Sequence, residues 1–226
     1  MIGRWIWRIT RALTGLVVAI HAYALALVIM PVPGTLNMAG RVVQGTDVYY
    51  SWTRLEEISP HLVKAVIAAE DTRFCAHSGV DLDAIQTALD ERQESGRVRG
   101  ASTLTQQTSK NVFLWNGGGY VRKGAEAWMA VFIDGIWGKR RVMEAYLNVA
   151  EWGDGLYGAE AAAYGRFGKS ASELTRFEAA RLAAVLPSPN KWRVNPAGPY
   201  VRQRTQTILA RMDVVARDGL DTCVLG

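Results

Sequence analysis

From Ala12 to Pro33 the chain carries no charged residue, and His21 is the only strongly polar side chain in that run. A helix needs roughly 20 apolar residues to cross a bilayer, so this stretch is long enough. Arg4, Arg8 and Arg11 precede it with no acid among residues 1–12, which sets the N-terminus on the cytoplasmic side, while Trp5 and Trp7 suit the interface. A cleaved signal peptide is the alternative. Its apolar region would be shorter and would end in small residues at a cleavage site, whereas here Pro31-Val32-Pro33-Gly34 follows. The pattern favours a retained anchor. It divides the chain into a cytoplasmic basic tail (1–12), a transmembrane helix (13–32), a polar linker (33–54) with a short extended piece at 47–51, and one domain (55–226) outside the cytoplasmic membrane.

The basic leader also accounts for most of the charge. Beyond residue 12 there are 23 basic against 21 acidic residues, so the formal charge falls from +5 to +2. Nucleic-acid binding would want a concentrated basic face in the folded part, and none is visible. Two cysteines, Cys75 and Cys223, lack metal-site spacing. In an oxidising compartment they can close a long loop, and two unpaired thiols are the alternative.

After the linker the apolar spacing predicts helix upon helix, over about 59–71, 81–94, 103–114, 121–137, 139–149, 158–167, 175–186 and 199–217. Ser59-Pro60 is a helix start, Asp81 can cap the second helix, and Thr103 to Gln106 and Thr175 to Glu178 fit the capping box. The fold class expected is mainly α. Two loose connections, Gly96 to Ala101 with Arg97 and Arg99, and Asn116 to Gly119, flank the 103–114 helix and are candidates for movement. Phe113, Leu114 and Trp115 suit either membrane contact or core packing.

Three stretches carry chemistry. Ala65 to Asp81 brings Glu70 and Asp71 to the end of an apolar helix, followed by Arg73, Phe74, His77, Gly79 and Asp81. Apolar surroundings raise a carboxylate's pKa and cations lower it, so Glu70 can become a tuned general base; an acidic helix end in solvent is the bland alternative. In Arg99 to Asn111, helical spacing puts Thr103, Gln107, Lys110 and Asn111 on one face. Its Ser, Thr, Gln and Asn content lowers helix propensity, which suggests side chains kept for binding. The free N–H groups at that helix start suit phosphate oxygens. Arg122 and Glu126, four apart, are a weak surface pair or a second carboxylate beside a phosphate-binding arginine. A fourth stretch, Asn148 to Lys169, reads as close helix packing.

In this order the segments AVIAAED-TRF-CAH-SGVD, GASTLTQQTSKN, RKGAE, KRRVMEAYLN and EAARLAAVLPSPN resemble the peptidoglycan glycosyltransferase family, from about Leu55 to Met212. That family includes the glycan-polymerising domains of bifunctional penicillin-binding proteins, and this chain looks like the monofunctional form. Ala101 stands where a second glycine is common, and Gly138 where serine is frequent. The resemblance implies a lysozyme-like, two-lobed helical domain behind a single transmembrane helix of the bacterial inner membrane, with the catalytic domain on the periplasmic side. It implies polymerisation of lipid II onto a lipid-linked growing glycan chain, with inversion and release of undecaprenyl diphosphate. Glu70 would be the base and Glu126 the second catalytic carboxylate. Lys110 and Arg122 would meet the diphosphate, and Asp71, Phe74, His77, Ser102, Thr103, Gln106, Gln107 and Asn111 complete the substrate-binding set. No cofactor is required by the resemblance. Three roles stay open for Glu126: orienting Arg122, holding a divalent cation (Mg²⁺ or Mn²⁺), or assisting departure. Other cell-wall synthesis proteins are candidate partners. A membrane-anchored lytic glycosidase is the rival enzyme, and a non-catalytic scaffold is the rival outside enzymes.

Overall fold

The computed structural model describes residues 2–96 and 100–226. Helix α1 (Ile2–Ala26) runs straight through the three arginines, because arginine is a good helix former and nothing there breaks the ladder. Among the described residues Gly3–Ala26 is the one segment long and apolar enough to cross a membrane; its 24 residues span about 36 Å. The helix stops at Ala26 and not at residue 32. Turns fill the approach to Pro31 and Pro33, where proline excludes further helix. The end of α1 and the turns after it dock onto the domain. Ala24, Leu27 and Val32 are buried in its core, the Trp137 indole donates to the Ala24 carbonyl at 2.8 Å, and Arg141 donates to the Leu27 carbonyl at 2.9 Å.

The expected linker contains a helix, α2 (Leu36–Val43), capped by Thr35, whose hydroxyl accepts from the Met38 N–H at 3.2 Å. Strand β1 (Tyr49–Tyr50) follows, inside the extended piece anticipated there. Helix α3 (Pro60–Glu70) buries Leu62, Val63, Ala65, Val66, Ile67 and Ala68. Each large aliphatic side chain buried in this way contributes roughly 1.5–3 kcal/mol, so packing holds α3 in place. Ser59 does not cap it; its hydroxyl donates instead to the Leu174 carbonyl at 2.8 Å.

Helix α4 (Leu82–Ser95) begins at Asp81, whose carboxylate accepts from the Ala84 N–H at 2.9 Å, as expected. Helix α5 (Leu104–Phe113) lies along α6 (Gly119–Val149), which breaks at Gly138, where φ is +68°. That break is the boundary expected between helices 121–137 and 139–149. Phe113 and Leu114 join the core, whereas Trp115 is exposed. Strand β2 (Leu156–Tyr157) pairs in parallel with β1, Tyr49 opposite Leu156. Helices α7 (Ala159–Phe167), α8 (Arg176–Val185), α9 (Pro199–Arg217) and α10 (Thr222–Leu225) complete the chain. Two packed groups result, α3 with α8 and α9, and α5 with α6. Glu70, at the end of α3, stands on the seam between them.

Cys75 and Cys223 form a disulfide with Cα atoms 5.6 Å apart, tying the loop after α3 to α10 across 148 residues of chain. Closing so long a loop restricts the unfolded chain by up to about 5 kcal/mol in the entropic account. Reduction is therefore expected to lower the unfolding midpoint in detergent, followed by circular dichroism with and without reductant. The unreduced, denatured protein should take up no thiol reagent.

Candidate active site

Glu70 ends α3 in a half-buried position, and each of its oxygens faces a different element. Oε2 accepts from the Gln107 amide of α5 at 3.1 Å, and Oε1 lies 3.8 Å from the Arg204 guanidinium of α9. Burial pushes the Glu70 pKa up, only partly offset by Gln107 and Arg204. The Tyr146 hydroxyl of α6 lies beneath, 3.4 Å from the Gln107 carbonyl oxygen. Glu70 also lines a cleft of about 210 Å³ with Asp71, Thr72, Arg73, Ser102 and Thr103 among its walls.

The neighbouring residues build the wall around this carboxylate. Asp71 accepts from the Leu104 N–H at 2.9 Å and from His77 Nε2 at 3.0 Å, so it ties the first turn of α5 to the loop after α3. Gly79 lies where φ is +82°, and a Cβ there would sit 2.6 Å from the Ala130 carbonyl oxygen of α6. Only glycine allows that approach. Its own carbonyl accepts from the Thr103 hydroxyl.

One turn further along α5 from Gln107, about 4.5 Å in axial rise, comes Lys110. Its ammonium is partly buried, and burial pushes its pKa down, while Glu126 raises it and Arg122 and Lys123 lower it. Glu126 is only 3% exposed. Its two oxygens are taken by Arg122 and Lys123, and Lys123 also donates to the Ser102 hydroxyl at 2.8 Å. Arg122 further donates to the Gly117 carbonyl, which fastens the glycine connection to α6. Lys110, Arg122 and Lys123 face a single carboxylate. The cluster thus keeps two net positive charges, the right sign and size for a diphosphate.

The transglycosylase family model matches residues 38–213. A biosynthetic peptidoglycan transglycosylase of Rhodospirillum centenum is 49% identical over 226 residues, covering 100% of this chain and 98% of that protein. Proteins of the same name from Caulobacter vibrioides (47% identical over 98% of this chain and 99% of that protein) and Pseudomonas aeruginosa (49% over 81% and 82%) are similar. The chain belongs to the transglycosylase family.

Within this transglycosylase the expected site residues separate into two sets. Gln107, Lys110 and Asn111 form the half-open face of α5, and Ser102 is exposed beside them. Thr103 and Gln106, expected among the substrate contacts, are buried and form the α5 capping box, and Thr103 also lines the Glu70 cleft. Phe74 is wholly buried, with the Lys139 ammonium 4.8 Å over its ring, so it braces the loop from below. His77 is likewise committed to Asp71. Lys123 and Arg204 were not among the expected residues. Lys123 had a signal, three residues before Glu126 on one helix, whereas nothing local in the sequence marks Arg204. Arg97 and Arg99 of the other glycine-containing connection lie outside the described residues.

Proposed function

We propose that the chain polymerises lipid II into glycan strands, with Glu70 as general base and the cluster around Lys110 receiving the departing diphosphate. The observation that supports this most strongly is the placement along α5. Gln107 holds the base on one turn, and Lys110 joins the cations on the next. Glu70 takes the proton of the acceptor sugar's 4-hydroxyl. That oxygen bonds to the donor anomeric carbon from the face opposite the diphosphate, and the carbon–phosphate-oxygen bond breaks with inversion. Undecaprenyl diphosphate leaves on Lys110, Arg122 and Lys123, with Gln107 and Asn111 as hydrogen-bond donors.

Glu126 fits an organising role. Both of its oxygens already hold a cation, so it aligns Arg122 and Lys123 and keeps them from repelling each other apart. A divalent ion at Glu126 would have to displace one of those cations, and the donor set offers it one carboxylate. The residues therefore do not fit a resident ion at that position. We place the N-terminus of α1 in the cytoplasm and the catalytic domain on the periplasmic side of the inner membrane, where a disulfide persists.

The test is product analysis after incubating the full chain in detergent with lipid II, and separately with mature glycan, each with Mg²⁺ or with EDTA. Glycan strands should grow from lipid II, and mature glycan should remain intact. Cleavage of mature glycan without polymerisation would establish a lytic enzyme instead.

A further inference from the structure

The Glu70 carboxylate is met by two side chains, Gln107 and Arg204, and the cation of the two belongs to no expected motif. Arg204 projects from the middle of α9, a helix anchored by Val201, Thr205, Ile208 and Met212. Among the described residues Glu70 is the only carboxylate within 4.0 Å of its guanidinium, at 3.8 Å, and its Nε is buried without a hydrogen-bond partner. The guanidinium is thus not spent on another acid. It lines a second hollow, of about 290 Å³, with Ala69, Tyr200, Gln203, Thr207 and Arg211.

We infer that Arg204 is a positioning residue for this reaction: its guanidinium holds the Glu70 carboxylate ionised and aimed between α3 and α5. The inference rests on the reading of Glu70 as base. A carboxylate buried at a helix end would otherwise carry a proton too often to accept another. The groups facing it are few. Gln107 of α5 carries no charge but favours the ionised form through its hydrogen bond, the buried Tyr146 phenol of α6 is held protonated, and Asp71 on its own chain segment adds negative charge while being paired with His77. Arg204 is the positive charge that opposes burial and Asp71 together. The reach comes from α9, which packs on α3, so it is maintained by the core and independent of the α5–α6 cation cluster.

The experiment is the pH dependence of kcat/KM for lipid II polymerisation by the full chain in detergent, because its acid limb reports the base in the free enzyme. Arg204→Gln should move that limb upward by about one pH unit, giving roughly a tenfold loss below it and recovery at high pH. Arg204→Met, which retains the apolar stem, should move it the same way if the glutamine variant folds poorly. Arg204→Lys should restore most of the original profile. Arg211→Gln, on the same helix face, should leave the limb in place. An unmoved limb in both neutral variants overturns the inference, as does a raised KM with an unmoved limb, which would make Arg204 a substrate contact. Substantial activity in Glu70→Gln would instead remove the base assignment itself, and that outcome is read separately.

Discussion

Glu70→Gln is expected to lose a hundredfold or more of polymerising activity on lipid II while the fold stays intact, the usual scale for a positioned base. The amide has the same shape, and one of its atoms can still meet Gln107, but it cannot accept a proton from a sugar hydroxyl. Stability should hold, since the substitution replaces a buried charge with a neutral group. Thermal unfolding should therefore show a midpoint equal to or above that of the unaltered chain, and this separates lost chemistry from lost structure. The unaltered enzyme supplies a second readout. Burial raises the Glu70 pKa, so the working, deprotonated form disappears as pH falls through a value above the ordinary carboxylate range. The rate should fall with it, earlier than for an exposed glutamate. Near-normal rates from Glu70→Gln at neutral pH would take this residue out of the mechanism.

Much of this arrangement is legible in the sequence, and the boundary of legibility has a physical origin. Helix starts were readable where a side chain near in sequence satisfies the orphan N–H groups, as at Asp81, Thr103 and Thr175. The same spacing misplaced Thr103. Helical periodicity puts it on the face of Gln107 and Lys110, but an N-cap residue is extended, and its hydroxyl turns inward to cap α5 and reach Gly79. Ser59 shows the converse, because Leu174, 115 residues away, outcompetes the local cap. The β1–β2 pairing joins two-residue strands about a hundred residues apart, too short for any alternation to appear. Arg204 is the most consequential omission. It meets Glu70 across 134 residues, and its partner is chosen by the packing of α9 on α3, which no local pattern in the sequence displays.

Lys110→Ala is expected to reduce turnover by roughly a hundredfold to a thousandfold, the range for removing one donor aimed at developing charge. Lys191→Ala, at an exposed position, should fall within about twofold of the unaltered enzyme. The difference follows from how Lys110 is held. Its ammonium is partly desolvated, and among the described residues no carboxylate lies within 4.0 Å of it, because Glu126 is already occupied by Arg122 and Lys123. A cation kept in that condition gains most when negative charge arrives beside it. The leaving diphosphate gains charge as the anomeric bond stretches, so the interaction strengthens toward the transition state, and the loss should appear mainly in kcat. Arg122 and Lys123 are less exclusive, since each is partly neutralised by Glu126. Equal effects at Lys110 and Lys191 would show that the departing group is received elsewhere. A loss confined to KM would mean that Lys110 grips substrate and product alike without assisting bond cleavage.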